Sequence, residues 1–469
     1  MKKILLLMMA LMIVGGAKAD DIVSSGSVTT NIAFSSITAN TGASWNASTG
    51  DYTTTTAWSS IQYWISSNNP SATMFNVTIE ESADVQLQVY YKDDTNTYIR
   101  KTGTNFSLPL DPTKEIQAFH IINTVVGTIK VISASYEIEN VQKIDLSQLE
   151  RYGDADKVTY NTSTYTITPI GENSWVGATK WGAINQYGTK FVVKLSSGTG
   201  IATRVRYYKN ETEYDVEEDL GNNDGDYIVN DLDATKKIHT LSILDKTSSP
   251  ISIDYAYIMP TYLSQATTPT LTNGSKAPVF LYRKLKVGWN TICLPFATTV
   301  STIAADAELY EFTAATASTI TLTKKDNGEM AANTPYFIKL SVAITDPIEF
   351  SDVTISNTGA GTVVNNGLTL HGNYTAAMSM VDKYGVASGA IKKGVTGSTL
   401  PAFSAYFDGS FAEAREFSIF TDDETTGISS MQAEPAQMFD NQYYNLNGQR
   451  ISQPAKGLYI KNGKKYIIK

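Results

Sequence analysis

Polar side chains take every second place along much of this chain. In Val85-Gln86-Leu87-Gln88-Val89-Tyr90 and in Thr203-Arg204-Val205-Arg206-Tyr207 the glutamines and arginines alternate with the other residues. A period of two sends successive side chains to opposite faces of a pleated strand, so Val85, Leu87 and Val89 face a core while the glutamines face away. Many such runs follow one another, separated by Gly, Asn and Asp turns, and outside the N-terminus no segment carries a convincing helical period. The pattern predicts an all-β chain of antiparallel β-sandwiches.

A duplication organises the first half. Trp58 and Trp64 stand six residues apart, and Trp175 and Trp181 repeat that spacing 117 positions later. Phe75-Asn-Val-Thr-Ile is answered at 116 by Phe191-Val-Val-Lys-Leu, and Tyr90-Tyr91-Lys92 at 117 by Tyr207-Tyr208-Lys209. Leu110-Asp111-Pro112-Thr113-Lys114-Glu115-Ile116 is answered at 122 by Leu232-Asp233-Ala234-Thr235-Lys236-Lys237-Ile238. The drift in offset assigns insertions to loops, among them the acidic stretch from Glu217 to Asp226. A repeat of this length is a whole structural unit, so one β-sandwich is expected over 21–140 and a second over 141–262. The Thr/Pro/Ser/Gly-rich segment at 263–278 is expected to be a linker. These repeats resemble the jelly-roll sandwiches that accompany polysaccharide-degrading enzymes and surface proteins of gut-type Bacteroidota. That resemblance implies carbohydrate-binding modules without naming a particular sugar.

The remainder divides into a β-rich region over 279–428, a linker over 429–441 and a tail over 442–469. The strings GWNTICLPF, ANTPYFIKL and DETTGI resemble a module common near the C-terminus of secreted Bacteroidota proteins. The tail holds two Asn-Gly pairs, Asn447-Gly448 and Asn462-Gly463, flanked by β-formers, which predicts hairpins. It carries Arg450, Lys456, Lys461, Lys464, Lys465 and Lys469 and no acid. It resembles the end of a type IX sorting domain, which implies secretion machinery as a partner; a terminal basic hairpin packed on the preceding domain is the alternative.

The first 19 residues change the expected compartment. Lys2 and Lys3 precede an apolar run from Ile4 to Val14, and Ala17-Lys18-Ala19 supplies a small-x-small cleavage site, so 1–19 reads as a secretory signal peptide. The apolar run is too short to span a hydrocarbon core of ~30 Å as a helix, and no membrane span is expected elsewhere. Losing Lys2, Lys3 and Lys18 moves the formal net charge from −9 to −12, which disfavours nucleic acid as a partner. With one cysteine, Cys293, the exported chain is expected to rest on hydrophobic cores rather than disulfides.

Polysaccharide binders stack sugar CH faces on exposed aromatic rings beside polar groups, and this makes Trp58, Tyr63, Trp64, Trp175, Trp181 and Tyr187 the candidate ligand-binding residues. The competing reading places the repeated tryptophans in two equivalent cores; Trp45, without a counterpart, fits either. The stretch Asp219 to Asp226, with Asp231 beyond, reads first as a solvated turn; a structural calcium held by its oxygens is the alternative, although Leu220 stands where a helix-loop-helix site needs its first ligand. No other cofactor is implied. Cys293 lies in an apolar run and reads as a buried thiol. Of the histidines, His120 and His239 fall at different positions in the two copies, and His371 lies outside both. Nucleophile elbows, zinc-spaced ligand sets and phosphate loops are missing from the sequence. Acids such as Glu80, Glu81, Glu115 and Asp254 show no spacing that marks a glycosidase pair. The leading expectation is a non-catalytic exported protein that binds glycan or an extracellular protein ligand. A structural or adhesin-like stalk and a hydrolase with an unrecognised acidic pair are the alternatives.

Overall fold

The computed structural model describes residues 23–65, 71–316, 319–408, 416–421, 443–444, 450–451, 456–461 and 464–468. The signal-peptide segment, the 429–441 linker and both Asn-Gly turns of the tail lie outside the described residues. The chain is all-β: antiparallel sheets dominate, and the α-helix found among the described residues is the single turn Val300–Ile303. One turn is too short to leave a 3.6-residue pattern in the sequence. Contacts divide the chain into two compact units with the boundary between Ile419 and Phe420.

The first copy is built around two 18-residue strands, Met74–Tyr91 and Gly127–Ile144. The N-terminal part of Met74–Tyr91 pairs with Gly127–Ile144, from Met74↔Glu137 to Ile79↔Val131. Its C-terminal part pairs with Ile116–Asn123, from Val85↔Asn123 to Tyr91↔Ile116. A strand that changes partners midway turns a corner of a sandwich, and the register shift between Thr78 and Ala83 marks the place. Tyr52, Phe75, Leu87, Phe106 and Phe119 fill the core between the layers. Full burial of each contributes roughly 1.5–3 kcal/mol.

The second copy repeats this plan. Val85↔Asn123 becomes Ile201↔Asp245, and Ser60↔Ile122 becomes Gly177↔Leu244. The long first-copy strand is here broken into Lys190–Ser197 and Ile201–Tyr207, with Gly198 (φ 82°) and Gly200 (φ 88°) in the left-handed conformations that the intervening turn requires. Thr73 N–H and Oγ1 both bond Glu137 O, and Thr189 N–H and Oγ1 both bond Met259 O. The offset is 116 along this strand up to its end. Buried Tyr91 therefore corresponds to buried Tyr207: the hydroxyl of each accepts the backbone N–H of an aspartate, Asp111 (3.1 Å) and Asp233 (2.8 Å). This corrects the sequence alignment of Tyr90 with Tyr207 by one residue. Tyr90 faces outward at the place taken by Arg206, and Lys92 at that of Tyr208, because alternation along a strand gives a buried ring only one of two adjacent positions.

The copies are not separate beads. Ile251–Met259 pairs with Gly127–Ile144 through Tyr257↔Lys143 and Ile258↔Gln142, so one sheet continues across them. Val192, Tyr257 and Met259 pack in the first core, and Ile144 packs in the second. The 263–278 segment is likewise tied down: Ser264 Oγ and Thr267 Oγ1 donate to Asp111 Oδ2 at 2.8 and 2.9 Å, and Lys276 N–H bonds Ala234 O. The Ser and Thr hydroxyls of this linker segment are thus partners for the sandwiches.

Beyond it, ten strands between Gly288–Cys293 and Glu416–Thr421 form a further sheet over two adjoining cores. Buried Arg283 holds this region together by donating to Thr291 O (2.6 Å), Ser404 Oγ (3.0 Å) and Phe403 O. In the second unit, Tyr443–Tyr444, Arg450–Ile451, Gly457–Lys461 and Lys464–Ile468 pair into a small antiparallel sheet.

Candidate glycan-binding faces

Ser59–Trp64 pairs with Ile116–Asn123 so that Ile61 and Tyr63 point to the core while Gln62 and Trp64 point out. Tyr63 packs on the core and stacks on Phe119 with centroids 6.3 Å apart, so it does not join Trp64 in a platform; adjacent residues of a strand cannot share a face. Burial raises its phenol above the ordinary value. Trp45 is also committed, its Nε1 donating to Phe34 O at 2.9 Å.

The four repeated tryptophans are on the surface: Trp58 is 53% exposed, Trp64 51%, Trp175 41% and Trp181 51%. Such exposure removes them from either core. Trp58 and Trp175 are also held in left-handed backbone, at φ 67° and 62°. Their N–H groups bond Asn123 O (3.0 Å) and Asp245 O (2.7 Å) respectively. A bulky residue with that backbone is an outlier costing roughly 1–3 kcal/mol, sustained only where its surroundings enforce it.

Each of these strained tryptophans lies under an arginine. The Arg100 guanidinium sits 4.8 Å from the Trp58 ring, held by the Asp84 carboxylate at 2.5 Å, which also accepts from Thr124 Oγ1 at 2.8 Å. The hydrogen bond from Arg100, and then that from Thr124, lowers the Asp84 carboxyl below its ordinary range. In the second copy Arg204 lies 5.8 Å from Trp175 and donates to Asp219 (2.5 Å) and Tyr152 Oη (2.9 Å). Tyr152 in turn donates to Glu217 at 2.5 Å, and the Ser242 hydroxyl faces both Glu217 (3.2 Å) and Thr179 (3.1 Å). Burial works against the charge on Arg204, but its bonds to Tyr152 and Asp219 outweigh that and raise its proton affinity. Arg100 and Arg204 come from non-equivalent strands, Asn96–Pro109 and Ile201–Tyr207, and reach the same ring position.

At the other end of each short strand stands the second tryptophan, six residues away and so up to roughly 20 Å distant in extended chain. Trp64 meets His120 edge-on at 6.1 Å, and His120 lies 4.9 Å from Tyr90. Trp181 has the denser setting, with Arg206 at 4.5 Å and the edges of Tyr214 and His239 at 5.2 and 5.1 Å. Burial and then the Arg206 charge lower the His239 imidazole below its ordinary value, which favours a neutral ring. Gln86, Gln88 and Gln62 line the first face between its tryptophans, while Thr179, Ser242, Arg204 and Glu217 line the second. Each face thus offers two aromatic rings joined by a row of hydrogen-bonding groups.

Tyr187 lines neither row between the tryptophans. It lines an open cleft of about 680 Å³ together with Tyr208, Lys209, Asn210, Lys236 and Lys237. Sequence reasoning missed Arg100, Arg204, Arg206, Tyr214 and Glu217, which complete the faces. Outward-facing arginines alternating along strands beside the tryptophans were the signal for two of them.

The acidic stretch is absorbed into the sheet. Glu218–Asn223 is a strand; Asp219 pairs with Arg204, Asp224 with Lys246 (2.6 Å), Asp226 with Lys194 and Asp231 with Lys190 (2.6 Å). Among the described residues no cluster of three His, Cys, Asp or Glu side chains gathers as a metal site. Cys293 is fully buried, and burial pushes its thiol up to about 11. Glu80 and Glu115 are in ion pairs with Lys130 (3.0 Å) and Lys92 (2.9 Å). No helix among the described residues is long and apolar enough to cross a membrane. No protein-family model matches this sequence, and a search of curated proteins gives no match.

Proposed function

We propose that the chain is an exported, non-catalytic protein that binds glycan through the outer faces of its two sandwich copies, with Trp58 and Trp64 on one face and Trp175 and Trp181 on the other. The observation that carries this reading is the pair Trp58 and Trp175: both copies hold a half-exposed tryptophan in strained left-handed backbone beneath an arginine. Neither full burial nor backbone ease accounts for a large apolar ring there, and stacking on a sugar would use the surface that the arginine leaves exposed. Two faces on copies joined by the pairing of Ile251–Met259 with Gly127–Ile144 would bind a polymer with the gain in effective concentration that rigid bivalency provides. In this reading 1–19 directs export and the basic tail serves delivery.

A second reading, a surface stalk, draws on the same shared sheet and on the tethered 263–278 segment, which make the paired copies a stiff unit. Acrylamide quenching of tryptophan fluorescence separates the two. The exposed tryptophans should be quenched in the free protein and protected by one class among a panel of soluble polysaccharides. Unchanged quenching across the panel, with no retention of the protein on insoluble polysaccharide, favours the stalk.

A further inference from the structure

The 680 Å³ cleft beside Tyr187 lies where the copies differ in charge. The shared hydrogen bond Lys92 N–H to Glu115 O in the first copy and Tyr208 N–H to Lys237 O in the second fixes the correspondence. At these two loops the first copy has Lys92, Asp93, Asp94, Lys114 and Glu115; the second has Tyr208, Lys209, Asn210, Lys236 and Lys237. At these matched positions two lysines and three acids have become three lysines, while the longer second-copy loop adds Glu211, Glu213 and Asp215.

The consequences are visible in the pairing. In the first copy the lysines are neutralised: Lys92 meets Glu115 and Lys114 meets Asp93, both at 2.9 Å. In the second, Lys209 is 3.5 Å from Asp215 and Lys236 is 3.3 Å from Asp233, while Lys237 has no ion-pair partner among the described residues. Glu211 also lies on the cleft wall and offsets one of the three charges. The cleft volume falls within the range of small-ligand sites, roughly 300–1,000 Å³, and two tyrosines and two asparagines supply ring and amide contacts. Tyr208 links it to the Trp181 cluster: its hydroxyl donates to Gly182 O at 3.2 Å and its ring meets His239 at 4.8 Å.

We infer that this cleft of the second copy binds an anionic sugar unit, carboxylated or sulfated, of a chain that stacks on Trp181. The inference rests on the glycan-binding reading and adds the charge class of the ligand. The first copy, which carries Glu115 at the place of Lys237, lacks this selectivity.

The test is calorimetric titration of the full chain with neutral, uronate-containing and sulfated oligosaccharides of similar length, at low and high salt. The variant Lys209→Asp/Lys237→Glu installs residues that the first copy already carries at exposed positions. An anionic oligosaccharide is expected to bind at least tenfold tighter than the neutral one at low salt, and the double variant to lose that preference while keeping its neutral affinity. Preference for the uronate or for the sulfate ester identifies which anion the cleft takes. Equal affinity for neutral and anionic chains, unchanged in the double variant, overturns the inference and leaves the glycan reading standing. Binding of no oligosaccharide in any arm overturns both.

Discussion

Trp181→Ala separates a binding ring from a structural one. The ring is half exposed, and its covered half rests on Arg206, Tyr214 and His239. Each contact at a partly exposed site is worth about 0.5–1 kcal/mol, so truncation should cost about 2 kcal/mol of folding stability. Domains commonly have ~5–15 kcal/mol, so the variant should remain folded. If the ring is a stacking platform, its loss should remove at least about 2 kcal/mol of binding energy, as truncated tryptophan anchors do, which is roughly a 30-fold rise in Kd. Calorimetric titration with the polysaccharide that protects the tryptophans measures the binding term, and a urea midpoint followed by far-ultraviolet dichroism measures the folding term. Trp45→Phe is the control, since that ring is tied to Phe34 and should leave Kd unchanged. A Kd for Trp181→Ala within twofold of the wild type, accompanied by the expected stability loss, would refute the platform.

Other expectations concern the frame. Tyr91→Phe and Tyr207→Phe each strip the acceptor from a buried backbone N–H, so each should lower stability by about 1–3 kcal/mol and by similar amounts; a neutral result in only one copy would break their equivalence. Burial holds the His120 imidazole down to about 4, against about 6.5 in an unfolded chain. A base with a depressed folded value favours the neutral state, so the penalty is absent above about pH 6.5 and grows as the pH falls towards 4. Allowing for solvent screening, it should reach about 1–2 kcal/mol, and His120→Gln should flatten the difference in urea midpoint between pH 7 and pH 4.5. Equal acid sensitivity in wild type and variant would count against that origin. The Cys293 thiol, buried and pushed up to about 11, should resist an aromatic disulfide reagent at pH 8 and react fully in denaturant; prompt labelling of native protein would contradict its burial.

The sequence by itself determined the strand content, the repeat in the first half and the buried face of its clearest strand. Alternation and repeated spacing are local properties, and burial of Val85, Leu87 and Val89 follows from a period of two wherever the strand is placed. The spacing of Trp58 and Trp64, repeated at Trp175 and Trp181, likewise marked the candidate faces before any coordinates. Tertiary structure alone decided what those residues do. Whether a repeated tryptophan faces core or solvent depends on register and on the left-handed residue at the strand entrance, and neither leaves a trace in composition. Arg100 and Arg204 reach equivalent rings from non-equivalent strands, so aligning the copies cannot pair them. The replacement of Asp93 by Lys209 and of Glu115 by Lys237 was present in the sequence, but the first of these was misaligned because Tyr90 and Tyr91 differ only in the face they present. Burial of one hydroxyl against the Asp111 amide settles which of them corresponds to Tyr207. The 263–278 segment has the composition of a free linker, and it became a strap because Asp111, about 150 positions earlier, accepts its hydroxyls. Local patterning fixes which face of a strand is apolar; only long-range pairing fixes which groups meet on the other.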